Sequence, residues 1–230
     1  MDDPSRKPTR PDLPAQRPHR RERATWSGRR RNDDWLRALC ASEPNCCRGV
    51  SLLPIIARAR RGDFETFRQR VWDRNEELGE LLDSEAIGMT TWYPISWYRL
   101  LLELLRVDAA DPQRLAREVG RESVQEDLTR GPFRSFLKIV SPGFLIERGS
   151  VLFRSYVKQG RLKVERVPGR EGVLELTFTQ CAGFDAAIFQ DFFGGIEGAL
   201  LAAGAQEVSV ECLEGARDGD DFARVRVSYR

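Results

Sequence analysis

The spacing of apolar positions along this chain changes once, and the change splits it into two halves. In the first half, apolar residues recur every three or four positions, the period of an amphipathic helix. Residues 35–40 form a short helix behind an Asn32-Asp33-Asp34 cap. Residues 50–61 carry Leu52, Leu53, Ile56 and Ala59 at helical spacing, with Pro54 suited to a first turn. Asp63 caps residues 64–74, where Phe64, Phe67 and Val71 make one stripe, and residues 76–82 continue in helical period. Pro94 stands at or near the first turn of a helix opened by Thr90-Thr91-Trp92-Tyr93. Ile95, Tyr98, Leu101, Leu102 and Leu105 mark its buried face, and Trp97 and Leu104 widen it. Asp111-Pro112 starts a helix to about residue 128, with Leu115, Val119 and Val124 inward. Gly131-Pro132 ends it, and residues 133–140 and 141–157 read as two more helices.

After Gly160 the period becomes two. Leu162 and Val164 alternate with Lys163 and Glu165, a strand signal. A turn at Pro168-Gly169-Arg170-Glu171-Gly172 leads into a return strand carrying Val173, Leu174, Leu176 and Phe178. Residues 184–203 revert to a helix, which Gly204 terminates. Two strands follow, one with Val208, Val210 and Cys212 on one face, the other with Phe222, Val225, Val227 and Tyr229. Helices first, then strand–strand–helix–strand–strand, predict an α+β fold: an N-terminal helical layer packed on a small antiparallel sheet.

Charge adds a third region. Residues 1–31 hold ten of the 37 basic residues, four of the 35 acidic ones and five of the twelve prolines, a net +6. The remaining 27 basic and 31 acidic residues leave the rest of the chain at −4. The first 31 residues have almost no aliphatic side chains to offset the entropy of ordering, so they read as a disordered basic arm ahead of a single domain over residues 32–230. Such an arm suits nucleic-acid phosphates or an acidic partner, although Trp26 is its one aromatic. No apolar stretch reaches the roughly 20 residues of a membrane span, and no secretory signal is visible, which points to the cytoplasm.

The chain has one histidine, His19, inside the arm. That removes the usual catalytic base, the usual metal ligand and the Ser-His-Asp triad from the folded part, Ser150 and Ser155 included. Cys46 and Cys47 are adjacent, poor geometry for one zinc even with Cys40 added. Cys212, on an alternating strand, reads as core. Cys181, near the start of the last helix, is the thiol singled out for reactivity, because a helix N-terminus lowers a thiol pKa. Trp92, Tyr93, Trp97 and Tyr98 cluster at one helix start, where they line a ligand pocket or fill the core. Glu103, Glu118 and Glu122 are the acids available to an enzyme, although nothing in their spacing selects them. Asp218, Asp220 and Asp221 read as a solvated hairpin tip. Gly194, Gly195 and Gly198 lack the spacing of a phosphate loop. They predict a face that another backbone approaches closely, the sheet first and a second subunit of a homodimer next.

Five stretches resemble an uncharacterised paralogous family abundant in myxobacteria. They are Trp92-Tyr93-Pro94, Leu115-Ala116-Arg117-Glu118-Val119-Gly120, Ser141-Pro142 with Arg154-Ser155-Tyr156, Gly160-Arg161-Leu162-Lys163-Val164-Glu165, and the run from Gly195-Ile196-Glu197-Gly198 to Gly204-Ala205. Their order and spacing carry the resemblance over roughly residues 50–230. That family is distantly similar to the superfamily of haem–nitric-oxide-binding domains, 4-vinyl-reductase domains and TRAPP vesicle-tethering subunits. The resemblance implies a helical layer on an antiparallel sheet, an apolar pocket between them, and service as a sensor, ligand-binding module or assembly subunit. It transfers no catalytic residue, and haem is not expected without a proximal histidine.

The sequence therefore supports a non-enzymatic ligand-binding or regulatory module with no cofactor and no metal. Its expected partner is an apolar small molecule or another protein. A carboxylate- and tyrosine-dependent lyase- or reductase-like enzyme and a nucleic-acid-associated protein are the alternatives.

Overall fold

The computed structural model describes residues 29–130 and 141–230. Helices α1 (Arg29–Ser42), α2 (Gly49–Ala59), α3 (Phe64–Arg74), α4 (Glu76–Asp83) and α5 (Ile95–Arg106) form the helical layer, with the short strands β1 (Cys46–Arg48) and β2 (Trp92–Pro94) paired between them. Helix α6 (Pro112–Arg130) follows. The second half holds α7 (Pro142–Glu147), α8 (Gly149–Tyr156), β3 (Arg161–Arg166), β4 (Val173–Thr179), α9 (Ala186–Ala202), β5 (Val208–Gly215) and β6 (Ala223–Tyr229). Its four strands make one antiparallel sheet in the order β3-β4-β6-β5. This is the α+β fold expected, with strand–strand–helix–strand–strand in its C-terminal half.

The caps act where the sequence places them. The Asp63 carboxylate accepts from the Thr66 N–H, and Asp111 accepts from the Arg114 N–H. Ser141 accepts from the Phe144 N–H. Each satisfies an N–H that a helix start leaves without a partner. Leu174, Leu176 and Phe178 of β4 alternate inward against Ala223, Val225 and Val227 of β6, and all six are buried. One apolar core runs from Leu36 to Val227 and joins the helical layer to the sheet.

Asn45 fastens the two halves. Its side chain is buried, accepts from the backbone N–H groups of Cys46 and Gln159, and donates to the Gln159 carbonyl. The sequence shows it only as a loop residue.

Several expectations need correction. Trp92-Tyr93-Pro94 is a strand rather than a helical first turn, and α5 begins at Ile95. Leu105 is only partly buried. Pro54 lies inside α2, where it removes an N–H from the helical ladder. The helix expected over residues 141–157 breaks at Arg148, whose backbone (φ −84°, ψ 1°) leaves the α-helical range and closes one helix before Gly149 opens the next. Cys212 is exposed, not core. It lies on an edge strand whose register slips between Cys212 and Glu214, which ends the inward alternation. The basic arm, its nucleic-acid reading and the helix expected over residues 133–140 lie outside the described residues, except that α1 begins at Arg29, inside the stretch assigned to the arm.

Candidate functional site

Helices α6 and α9 cross with their backbones touching. A Cβ on Gly194 would stand 1.8 Å from the Arg117 carbonyl oxygen, and one on Gly198 would stand 2.4 Å from that of Arg121. The approach is reciprocal, since a Cβ on Gly120 would stand 1.8 Å from the Asp191 carbonyl oxygen. No residue but glycine fits at these three points. The glycine face of α9 therefore meets α6, not the sheet. The sheet is covered by the opposite side of the helix, where Phe189 and Phe193 pack on Phe178 of β4 with ring centroids 6.4 and 6.1 Å apart. Arg117 bolts the crossing. Its guanidinium donates to Glu197 of α9 and to the Val210 carbonyl of β5, each at 2.6 Å.

Beside the crossing, the layers separate around a cavity of about 600 Å³. Val50, Ser51 and Pro54 of α2 and Tyr98 of α5 line one side, and Leu162, Leu176 and Phe178 of the sheet line another. Val124 and Leu128 of α6 face Phe192, Ile196 and Ala199 of α9 across it. Helices α7 and α8 close the remaining side with Leu145, Ile146, Leu152, Phe153 and Tyr156. Phe144, Val151 and Arg148, also lining residues, are exposed, which marks the mouth. There the Arg148 guanidinium lies 5.3 Å from the centroid of the Phe144 ring.

The lining is apolar except for a small polar set. Asp191 of α9 accepts a hydrogen bond from the Tyr98 hydroxyl. Burial raises its carboxyl from 3.8 to about 7, although the Tyr98 hydrogen bond pulls the other way. Burial and the Asp191 carboxylate push the Tyr98 phenol well above its ordinary value. Burial first, then the Glu126 carboxylate, raises Asp127 of α6. Tyr156 is pushed up to about 12 by burial, then by Asp127 and Asp191. The Ser51 hydroxyl is buried and has no hydrogen-bond partner.

Of the aromatic set named from the sequence, Tyr98 alone reaches the cavity. Tyr93 and Trp97 are buried and stack at 5.9 Å, with Trp35 against Trp97 at 6.2 Å. Trp92 lies under the Arg48 guanidinium. Cys181 is buried away from the cavity, and burial followed by the Asp221 charge pushes its thiol up to about 12. The first turn of α9 begins five residues later at Ala186, capped by Asp185, so the expected activation of Cys181 is corrected. Glu103, Glu118 and Glu122 are absent from the lining and form ion pairs with Arg74, Arg114 and Arg61. Asp218 and Asp220 accept from backbone N–H groups of Ala186 and Arg217. Cys40, Cys46 and Cys47 are buried free thiols. Among the described residues, no three His, Cys, Asp or Glu side chains come together in a way that would hold a metal ion, and no helix is long and apolar enough to cross a membrane.

Asp191, Asp127, Ser51 and Gly120 are the site residues that sequence reasoning missed. Asp191 did leave a signal, because it is an acid among Phe189, Phe192 and Phe193 on a helix that is otherwise mostly apolar. It also stands three and seven positions before Gly194 and Gly198, on their face.

The helical layer, the four-stranded sheet and the helix crossing between them define the class: this is an H-NOX-like α+β fold. A point mutant of T. tengcongensis H-NOX superposes with a TM-score of 0.56 at 17% identity, covering 78% of this chain and 95% of that one. A mutant of the H-NOX protein from K. algicida, in its Fe(II) unliganded form, gives 0.58 at 11%, covering 80% and 96%. A double mutant of Tt H-NOX gives 0.55 at 18%, covering 80% and 95%. At these identities the likeness is one of fold. No protein-family model matches the chain, and no curated protein matches it.

Proposed function

We propose that this chain is a non-enzymatic ligand-binding regulatory module that uses the cavity of an H-NOX-like fold to take an apolar small molecule. The cavity carries the reading: about 600 Å³, walled by phenylalanine and aliphatic side chains from both layers, with few polar groups. Such concavities are the usual form of a small-molecule site.

Haem is the cofactor that the superfamily suggests, and the residues present do not fit it. Among the described lining residues there is no histidine, cysteine or methionine to ligate iron. Two tyrosines line the cavity, but a phenolate ligand needs a lowered pKa. Tyr98 and Tyr156 are both raised, and Tyr98 donates its proton to Asp191.

On this reading four of the five stretches that carry the resemblance to the myxobacterial family have structural work to do. Leu115–Gly120 and Gly195–Ala205 contribute to the α6–α9 crossing, Ser141 caps the wall formed by α7, and Gly160–Glu165 leads into the sheet side of the cavity. A protein partner would then read ligand occupancy at the α7–α8 mouth, and the compartment would be the cytoplasm.

Native mass spectrometry of the purified chain, paired with haemin titration, tests the reading. The expected result is a retained or exchangeable apolar molecule at one per chain and no sharp Soret band with haemin. A stoichiometric haem complex would overturn it.

A further inference from the structure

The described polar groups of the cavity are two carboxyls, on Asp191 and Asp127, and the hydroxyls of Ser51, Ser123, Tyr98 and Tyr156, with Arg148 at the mouth. Asp191 and Asp127 offer carboxylate oxygens, and the one described donor to either is the Tyr98 hydroxyl, which goes to Asp191. Ser51 is only 8% exposed, lines the cavity, and has no partner for its hydroxyl. One turn on, Pro54 lacks the N–H that would ordinarily take the Val50 carbonyl, and both residues line the same wall. Buried polar groups are normally satisfied, so a set of acceptors around an apolar space calls for a molecule that brings donors.

Charge narrows the class. Two carboxyl groups project into an apolar space. Among the described residues, the one cationic lining residue is Arg148, which is exposed at the mouth and lies over Phe144. A buried carboxylate without a counter-charge is costly, and a cation placed beside it removes that cost.

We propose that the cavity selects an apolar molecule ending in a basic nitrogen, such as a long-chain amine, with its ammonium held between Asp191 and Asp127 and its chain against the phenylalanine wall. Ser51 supplies a further acceptor for the ammonium protons. This inference rests on the cavity being the ligand site and names the chemistry of that ligand. Burial raises both carboxyls, with the Glu126 charge adding to the effect on Asp127, so a cation beside them would favour their charged forms. A fatty carboxylate would instead have to stop at Arg148 and leave the carboxyl groups unanswered.

The test is displacement of the neutral fluorophore N-phenyl-1-naphthylamine from the full chain, below micelle-forming concentrations. The competitors are dodecylamine, 1-dodecanol and dodecanoate, which share a chain length and differ in head group. The amine should displace the probe at a concentration lower by about tenfold or more than the other two. Asp191→Asn keeps an acceptor for Tyr98, and Asp127→Asn changes a half-buried side chain. Either variant should shrink the preference, and the pair should reduce it to about threefold or less while probe binding persists. Equal or better competition by the alcohol or the carboxylate would overturn the amine inference and leave the cavity reading standing. Failure of the probe and every competitor to bind would overturn both. An amine preference that survives in both variants would also overturn the assignment to these carboxyl groups.

Discussion

The two walls of the cavity are built on opposite plans. On the α6–α9 side, Gly120, Gly194 and Gly198 bring two backbones into contact, and Arg117 ties the crossing to β5. On the α7–α8 side, two helices of six and eight residues are separated by a break at Arg148, and Phe144 and Val151 stand exposed. The first wall holds position through contacts that no side-chain rotation can relieve. The second is held by few buried residues, chiefly Leu145, Ile146 and Phe153. Short elements with sparse burial open at low cost, and elements that move on ligand binding are drawn from them. On the proposed reading, the contrast gives shape to one wall and passage to the other.

The largest expected effect breaks the rigid wall. Gly120→Ala gains about 1 kcal/mol of helix propensity. Its Cβ would nevertheless stand 1.8 Å from a carbonyl oxygen, so the helices must separate. A net loss of about 2 kcal/mol or more is expected, and Gly194→Leu should not fold. Urea unfolding followed by circular dichroism measures both. An unchanged midpoint for Gly120→Ala would show that the backbones are not in contact.

A smaller effect lies in the pH dependence of stability. Burial raises Asp191 from 3.8 to about 7, so the folded chain keeps a proton that the unfolded chain releases. That contribution is complete below about pH 4 and is lost as pH rises through about 7. Stability should fall across that window, and Asp191→Asn should flatten the fall by an amount on the order of a few kcal/mol. Asp127 is raised in the same direction and leaves a residual slope. Tyr98 and Tyr156 also face Asp191 but titrate well above the window. Thermal unfolding of both proteins from about pH 4 to 8 reads the difference.

The smallest effect belongs to the α7–α8 wall. Phe144→Ser and Val151→Ser change residues that are 42% and 54% exposed, so stability should stay within about 0.5 kcal/mol. Stopped-flow fluorescence should instead show altered rates of probe entry and exit. A loss of stability comparable to that of Gly120→Ala would erase the distinction between the walls.

The two walls also differ in how far the sequence reveals them. The small residues of α9 announce a close approach, because Gly194 and Gly198 fall four positions apart on one face. Their partner stays hidden, because Gly120 is a single glycine in a long polar helix and its role is set by tertiary contact alone. The hairpin follows from local periodicity, and so does the α+β order. The break at Arg148 does not, since no proline stands there to announce it. Cys212 misleads for a similar reason, because the register slip at its edge strand leaves no local trace. Of the cavity residues, Tyr98 is legible as part of an aromatic cluster. Ser51 and Asp127 look like ordinary solvated positions on amphipathic helices until the sheet is laid against them.

The most direct test of the cavity itself is equilibrium titration of N-phenyl-1-naphthylamine into three proteins: the wild type, Ser123→Phe and Ile196→Trp. Ser123 and Ile196 line the cavity from α6 and α9, so either replacement fills it from the rigid wall. The structure predicts saturable binding of one probe per wild-type chain, with affinity lower by about tenfold or more in each folded variant. Undiminished binding in both variants would place the probe elsewhere and contradict the cavity as the ligand site.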